Sequence, residues 1–264
     1  MKPWRALSPV PTLAALAVIA VTCALGHWQL DRAHEKIARA QRLQALAAQP
    51  PLEIGPALAA GPVAERRVHV RGRFDPGHTV LLDNRPHGNG TDSRAGFLVL
   101  TPLRVAGGGP AAPAVLVLRG WLPRDAQDRT RIAPFSTPGG EVDLEGTALE
   151  TVPRVFGLGR GAQAEAGQKI RQNVDIAAFA RELGVTLQPF VLEQRSDSGD
   201  GLARDWAPVD IGADRHYGYA FQWFGLAALT LVLLVALAWR RARRMAAGAQ
   251  PEMQPEPRRG RAVR

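Results

Sequence analysis

Two uncharged apolar runs, one near each end of the chain, constrain its fold more than any other feature of the sequence. The first, Val10 to Leu30, reads VPTLAALAVIAVTCALGHWQL, and the second, Phe221 to Trp239, reads FQWFGLAALTLVLLVALAW. At ~1.5 Å per residue, each is long enough as a helix to cross a hydrocarbon layer of ~30 Å. Aromatic residues stand where the interfaces should be: Trp28 at the end of the first run, Trp223 and Trp239 near the two ends of the second. The expectation is a membrane protein with transmembrane helices over 10–30 and 217–239. The 264-residue chain then leaves room between them for one domain, residues 31–215, and not for two.

A cleaved signal peptide and a lipoprotein signal are rival readings of the first run. No small-x-small site follows it, and Thr22 is a poor residue before a lipidated Cys23, so a retained span is expected. Cys23 then becomes a buried small apolar side chain. As the only cysteine it excludes an intrachain disulfide, a CxxC redox motif and a cysteine-pair metal site.

A net charge of +9 and a pI near 11 would suit a nucleic-acid partner. The charge is in the wrong place for one: Asp31 to Arg215 carry 23 basic and 22 acidic residues, so the domain is nearly neutral and the excess lies at the ends. Arg240, Arg241, Arg243 and Arg244 follow the second span directly, which puts the C-terminus in the cytoplasm by the positive-inside rule; the short basic tail 1–9 agrees. Arg32, Lys36, Arg39 and Arg42 pull the other way, but long segments translocate largely regardless of charge. The domain is therefore expected outside, and residues 240–264, rich in Arg, Pro, Gln and Glu, as a basic disordered cytoplasmic tail. A tail of nine residues leaves no room for a mitochondrial transit peptide, so the expected location is a bacterial inner membrane with a periplasmic domain.

Beyond the first span, residues 31–49 keep helical spacing as a juxtamembrane helix, with a Glu35/Arg39 pair, until Pro50-Pro51 ends it. From Arg67 the period changes to two, with Val68, Val70, Gly72 and Phe74 alternating with His69, Arg71 and Arg73. Further strands are expected at 80–82, 97–101, 115–121, 141–147 and 188–193, with a hairpin loop at Gly107 to Pro110. One helix interrupts, from an Asp175 N-cap to Leu183, stopped by Gly184. The fold class is α+β: two transmembrane helices flanking one β-rich extracytoplasmic domain that holds one or two helices.

Signals for catalysis are poor. Gly157, Gly159 and Gly161 lack the Lys-Ser/Thr of a nucleotide loop and read as a flexible loop, and Ser93, Ser136, Ser196 and Ser198 lie in no nucleophile-elbow context. Glu141, Asp143 and Glu145 share one side of a strand and read as a solvated face rather than a cation site, while His69, His78 and His87 recur at a spacing that converges nowhere. His216 differs by position, at the point where the domain enters the second span within HYGYAFQWFGLA. An imidazole there could ligate a haem lying against Phe221, Trp223 and Phe224, or simply hydrogen-bond lipid head groups.

Several stretches together resemble the surfeit locus protein 1 family, membrane proteins that assist assembly of haem-copper cytochrome c oxidase. GHWQLDRAHEK at Gly26 to Lys36 resembles the family's first-span signature, with Gly26, Trp28, Gln29 and Arg32 in place. RVHVRGRFDP resembles its first domain strand, GFLVLTPL with VLVLRGWLPRD its most recognisable hairpin, and EVDLEGTALE the next strand. HYGYAFQWFGLA resembles the motif that enters the last span, through His216, Tyr219, Trp223, Gly225 and Leu226. One departure stands out: Val174 occupies a place in RQNVDIAAF where the family usually has an aromatic residue.

The resemblance implies a non-enzymatic chaperone of respiratory-chain biogenesis that binds or presents haem a for insertion into the catalytic subunit. Its implied haem ligand is His216, with Tyr219, Trp223, Trp28 and Arg32 as candidate contacts, and its implied partners are oxidase subunit I, haem a synthase and the lipid bilayer, with no nucleic acid. His27, near the outer end of its own helix, could face His216 so that both hold one iron. Arg119 with Trp121, and Arg32 beside Trp28, are expected to serve structure first, orienting the domain against the membrane, and to dock the partner second; an interfacial arginine can also pair with a propionate. The alternative function is a haem-independent scaffold that stabilises an oxidase assembly intermediate.

Overall fold

The helix that carries the first apolar run continues well past the membrane boundary expected at Leu30. In the computed structural model, which describes residues 9–88, 93–125, 127–128, 131–155, 167–206 and 212–248, helix α1 spans Pro9–Ala47 without interruption. It rises ~58 Å, so the span and the juxtamembrane helix are one rod. The Gly157, Gly159 and Gly161 loop, residues 1–8 of the N-terminal tail and residues 249–264 of the C-terminal tail lie outside the described residues.

The second long helix, α3, covers Ala213–Gly248. It too passes its expected end at Trp239: residues 240–248, assigned from the sequence to a disordered tail, are helical. Alanine, arginine and methionine are strong helix formers, and Arg243 lies 4.1 Å from the centre of the Trp239 ring. In the apolar window of each helix only 11% of residues are buried by the rest of the protein. A core helix of a water-soluble domain would be covered, so these two helices present membrane-spanning surfaces. The chain divides into two compact units, Met1–Ala40 with Asp210–Arg264, and Gln41–Val209.

The second unit is built on an eight-stranded mixed sheet. Strands β2 (Arg67–Phe74), β6 (Glu141–Leu149), β8 (Leu187–Gln194), β5 (Ala114–Pro123) and β4 (Arg94–Val105) pair in that order. The far end of β4, Leu103 to Val105, then pairs back onto Gly72 to Phe74 of β2 and closes a five-stranded ring. Long β4 can do this because its first half is occupied elsewhere, pairing with β3 (Val80–His87). Two short strands that the sequence pattern did not reveal complete the sheet: β1 (Leu52–Ile54) runs parallel to β2, and β7 (Ile170–Arg171) parallel to β3.

Strand β5 is buried on both faces, which explains its unbroken apolar run. Val115 and Val117 join Val68, Val70, Leu144, Phe190 and Leu192 in one core cluster. Leu116 and Leu118 point the other way, into a second cluster with Phe179 of helix α2 (Ile176–Leu183), Leu187 and Val191. Helix α2 starts as its sequence predicts, with the Asp175 side chain accepting from the Ala178 N–H at 3.0 Å, and ends at Gly184. Val174 belongs to the same cluster and is 5% exposed, so the departure at this position is a change of core residue. Beside it, the Asn173 side chain accepts from Val155 N–H and donates to Val155 C=O, at 3.0 and 3.1 Å.

Each residue of the Arg119-Gly120-Trp121 motif has a separate structural duty inside this unit. Arg119 is fully buried, with its guanidinium 4.7 Å from the centre of the Phe74 ring. It donates to Thr137 Oγ1, Ser136 C=O and Asp200 Oδ2, each at 2.7 Å. Gly120 leaves space for the Ala203 carbonyl, which would lie 2.7 Å from a side-chain Cβ at this position. Trp121 exchanges backbone hydrogen bonds with Ala203, and its indole N–H donates to Arg85 C=O at 2.9 Å. The expected membrane-facing role of Arg119 and Trp121 is corrected by this burial. Arg119 is enclosed by protein and cannot meet a propionate.

Asp200, only 2% exposed, is the anion that makes this possible. Burial alone would raise its carboxyl pKa, but hydrogen bonds from Arg204 and Arg119 hold it below the ordinary value. Removing it would leave two largely enclosed arginines without their shared counter-ion, a loss of ~3–5 kcal/mol for a broken buried ion pair. Asp200→Ala is expected to lower the denaturation midpoint of the detergent-solubilised chain by a corresponding amount. Followed by tryptophan fluorescence, an unchanged midpoint would contradict this account of the cluster.

Candidate functional site

The two long helices meet along seams of small residues. On α1 the buried positions are Thr22, Gly26 and Ala33, with Gln29 half-buried between the last two. On α3 the buried positions Ala213, Ala220 and Ala227 alternate with half-buried His216, Trp223 and Phe224. Steps of three and four residues keep each set on one helix face, and small side chains let the backbones approach. The Phe224 ring lies over Gly26, where a Cβ would come within 2.8 Å of it. Thr22 satisfies its hydroxyl within its own helix, donating to Val18 C=O at 2.8 Å. Cys23, expected to be buried, is a half-buried free thiol.

The ring contacts near the two ends of the seam pair a lower α1 number with a higher α3 number and the reverse, so the helices run antiparallel. His27 meets Phe224 edge-on, ring centres 5.5 Å apart, and His34 meets Tyr217 at 6.3 Å. His216 crosses the seam to Gln29, its Nδ1 lying 2.7 Å from Gln29 Oε1. An amide oxygen only accepts, so this contact is a hydrogen bond in the tautomer that carries the proton on Nδ1. Nε2 is then the nitrogen with the free lone pair.

The site residues expected from the sequence therefore divide into groups. His216, Tyr219 and Trp223 follow one another at i, i+3 and i+7 and form a stripe along one side of α3. Trp28 and Arg32 form a second pair on α1, with the guanidinium 5.8 Å from the indole centre and donating to Glu35 at 2.7 Å. His27 lies apart from His216: its partner Phe224 is two turns of α3 further on. The residue brought to His216 is Gln29, which the sequence marked only as part of a motif. Its spacing from Gly26 and Ala33 already placed it on the seam.

In the second unit, charged candidates are engaged with one another. Arg104 and His78 both reach Asp75 at 3.1 Å, on the wall of a cleft of about 290 Å³ that also includes Val105, Leu183 and Val185. Burial works to raise the Asp75 pKa, but hydrogen bonds from Arg104 and His78 leave it lowered. His87 stacks on Trp121 with ring centres 4.4 Å apart and faces Asp205 at 3.2 Å. Among the described residues, no three His, Cys, Asp or Glu side chains converge to hold a metal ion.

Comparison with known proteins gives a match to the SURF1 family over residues 16–228, which takes in most of α1, the first part of α3 and the whole sheet unit between them. The SURF1-like protein of Rickettsia bellii is 24% identical over 230 residues, covering 84% of this chain and 88% of that protein. Surfeit locus protein 1 of Arabidopsis thaliana is 25% identical over 260 residues, covering 79% of this chain and 72% of the relative.

The acidic strand face of β6 has its own basic partners on β2. Glu145 pairs with Arg67, Glu141 with Arg71 at 2.9 Å, and Asp143 with His69. The second nitrogen of His69 meets Glu53 of β1 at 2.7 Å, so both ring nitrogens face carboxylates and both donate once the ring is protonated. The Glu53 hydrogen bond raises the His69 pKa, burial opposes it, and Asp143 adds to the rise. A raised folded-state pKa stabilises fully below the unfolded value of ~6.5, and the gain disappears as pH climbs through the folded value. His69→Gln is expected to flatten the fall in melting temperature that the unaltered chain shows as pH rises above ~6.5. Parallel curves for the two proteins would remove His69 as the source.

Proposed function

The chain belongs to the SURF1 family, and from that premise we propose that it is a non-enzymatic assembly factor for haem-copper cytochrome c oxidase. On this reading it holds haem a through His216 until the cofactor passes to the catalytic subunit. The observation that carries the reading is the state of His216: half-buried near the start of α3, with Nδ1 engaged by Gln29 and Nε2 left as the donor a haem iron takes. Tyr219 and Trp223 continue from it along the helix, offering aromatic surface to a macrocycle, and Arg32 beside Trp28 supplies a cation for propionates. When bound, the haem supplies the iron; it is cargo, and the chain's residues orient and release it.

The same reading assigns the molecule to a bacterial inner membrane. From His216 to Trp239, α3 rises ~35 Å without a charged side chain, about one hydrocarbon thickness with its margins. Arg240, Arg241, Arg243 and Arg244 then mark the cytoplasmic end, which assigns His216 and the sheet unit to the periplasmic side. Oxidase subunit I is the recipient, and haem a synthase is the supplier.

Purification from cells that make haem a tests the proposal. The unaltered chain is expected to carry haem a, and His216→Ala to lose most of its visible absorbance while still inserting in the membrane. Haem content unchanged by that substitution would overturn the ligand assignment. A colourless unaltered protein that still captures subunit I would instead establish the scaffold function.

A further inference from the structure

We propose that Gln29 is the positioning residue for His216, and that its neutral amide makes the histidine a competent but releasable haem ligand; this rests on the haem reading above. The hydrogen bond joins side chains of two different helices in a partly enclosed seam. There it fixes which ring nitrogen is protonated. Without it the imidazole would divide between tautomers, and every molecule with the proton on Nε2 would have its lone pair on Nδ1, on the side of the ring facing α1, instead of on Nε2.

The choice of an amide over a carboxylate matters as much as the presence of an acceptor. Carboxylates behind ligating histidines draw on the Nδ1 proton, raise the basicity of the ligating nitrogen and strengthen the metal bond. Gln29 orients the ring in the same way without placing a negative charge in the seam. A carrier that must surrender its cargo is better served by the weaker donor. Because the acceptor is on α1 and the ligand on α3, the ring's orientation also depends on the two helices keeping their register.

The test compares the full-length chain with Gln29→Leu and Gln29→Glu, loaded with haem a in detergent. Gln29→Leu is expected to release haem to apomyoglobin ~10–100-fold faster, the usual effect of losing a partner behind a metal-binding histidine. Gln29→Glu, which keeps both length and acceptor, is expected to retain haem, release it more slowly than the unaltered chain and shift the midpoint potential downward. In haem-free protein, nitrogen-15 spectra of the His216 ring should show the proton on Nδ1 in the unaltered chain and in Gln29→Glu, and a tautomer mixture in Gln29→Leu.

Wild-type release and tautomer in Gln29→Leu, alongside haem loss in His216→Ala, would overturn the positioning role while leaving the haem reading intact. Release from Gln29→Glu as fast as from the unaltered chain would overturn the argument from the neutral amide. If His216→Ala keeps its haem, the haem reading fails, and the tautomer spectra still decide whether Gln29 orients the ring. Should Gln29→Leu fail to fold, Gln29→Glu and the spectra of the unaltered chain decide the outcome.

Discussion

Apolar helix surface that the protein itself leaves uncovered must be covered by lipid, and this constraint organises the rest of the molecule. Leu13, Leu16, Val18 and Val21 on α1, and Leu229, Leu231, Val232 and Leu233 on α3, expose about half or more of their area. With no water in a bilayer core, hydrophobic burial gives two such helices little reason to associate. Their contact must come from close packing and hydrogen bonding. The seam supplies both. Gly26 beneath Phe224 and the alanines of α3 allow the approach, and the His216–Gln29 hydrogen bond spans it.

The sheet unit solves a different problem, that of closing a small β-structure without leaving long edges unpaired. Strand β4 is long enough to serve two neighbours on one side, β3 along one half and β2 along the other, so five strands form a ring. Into this apolar setting the structure places a charge, Arg119, neutralised by Asp200 and lying against the Phe74 and Phe135 rings. Such a pair gains little over an apolar substitute, but it is intolerant of losing one partner. It also ties the segment after β8, through Asp200 and Ala203, to the end of β5.

Much of this was legible in the chain before any coordinates. Length and lack of charge marked both spans, a period of two marked β2, short β-rich runs between turn residues marked the other main strands, and Asp175 and Gly184 marked the ends of α2, because each is a local rule that acts within a few residues. Strands β1 and β7 were not legible: two or three residues carry no period. Nor was the burial of Arg119, since the sequence places its counter-ion 81 residues away. The helical stretch beyond Trp239 was hidden by a charged composition that suits a disordered tail and a helix equally well.

The candidate site shows the same division at closer range. The sequence by itself determined that His216 stands at the entrance to a span, that Tyr219 and Trp223 follow it at helical spacing, and that Gly26, Gln29 and Ala33 share a face of α1. Hydropathy and helical geometry suffice for that, because both are properties of one segment. Only the tertiary structure decided that Gln29, rather than His27, is the partner of His216, and therefore which nitrogen of the ring faces an acceptor. That choice depends on the rotation of one helix against another, set by the packing of Phe224 over Gly26 across nearly two hundred residues of intervening chain.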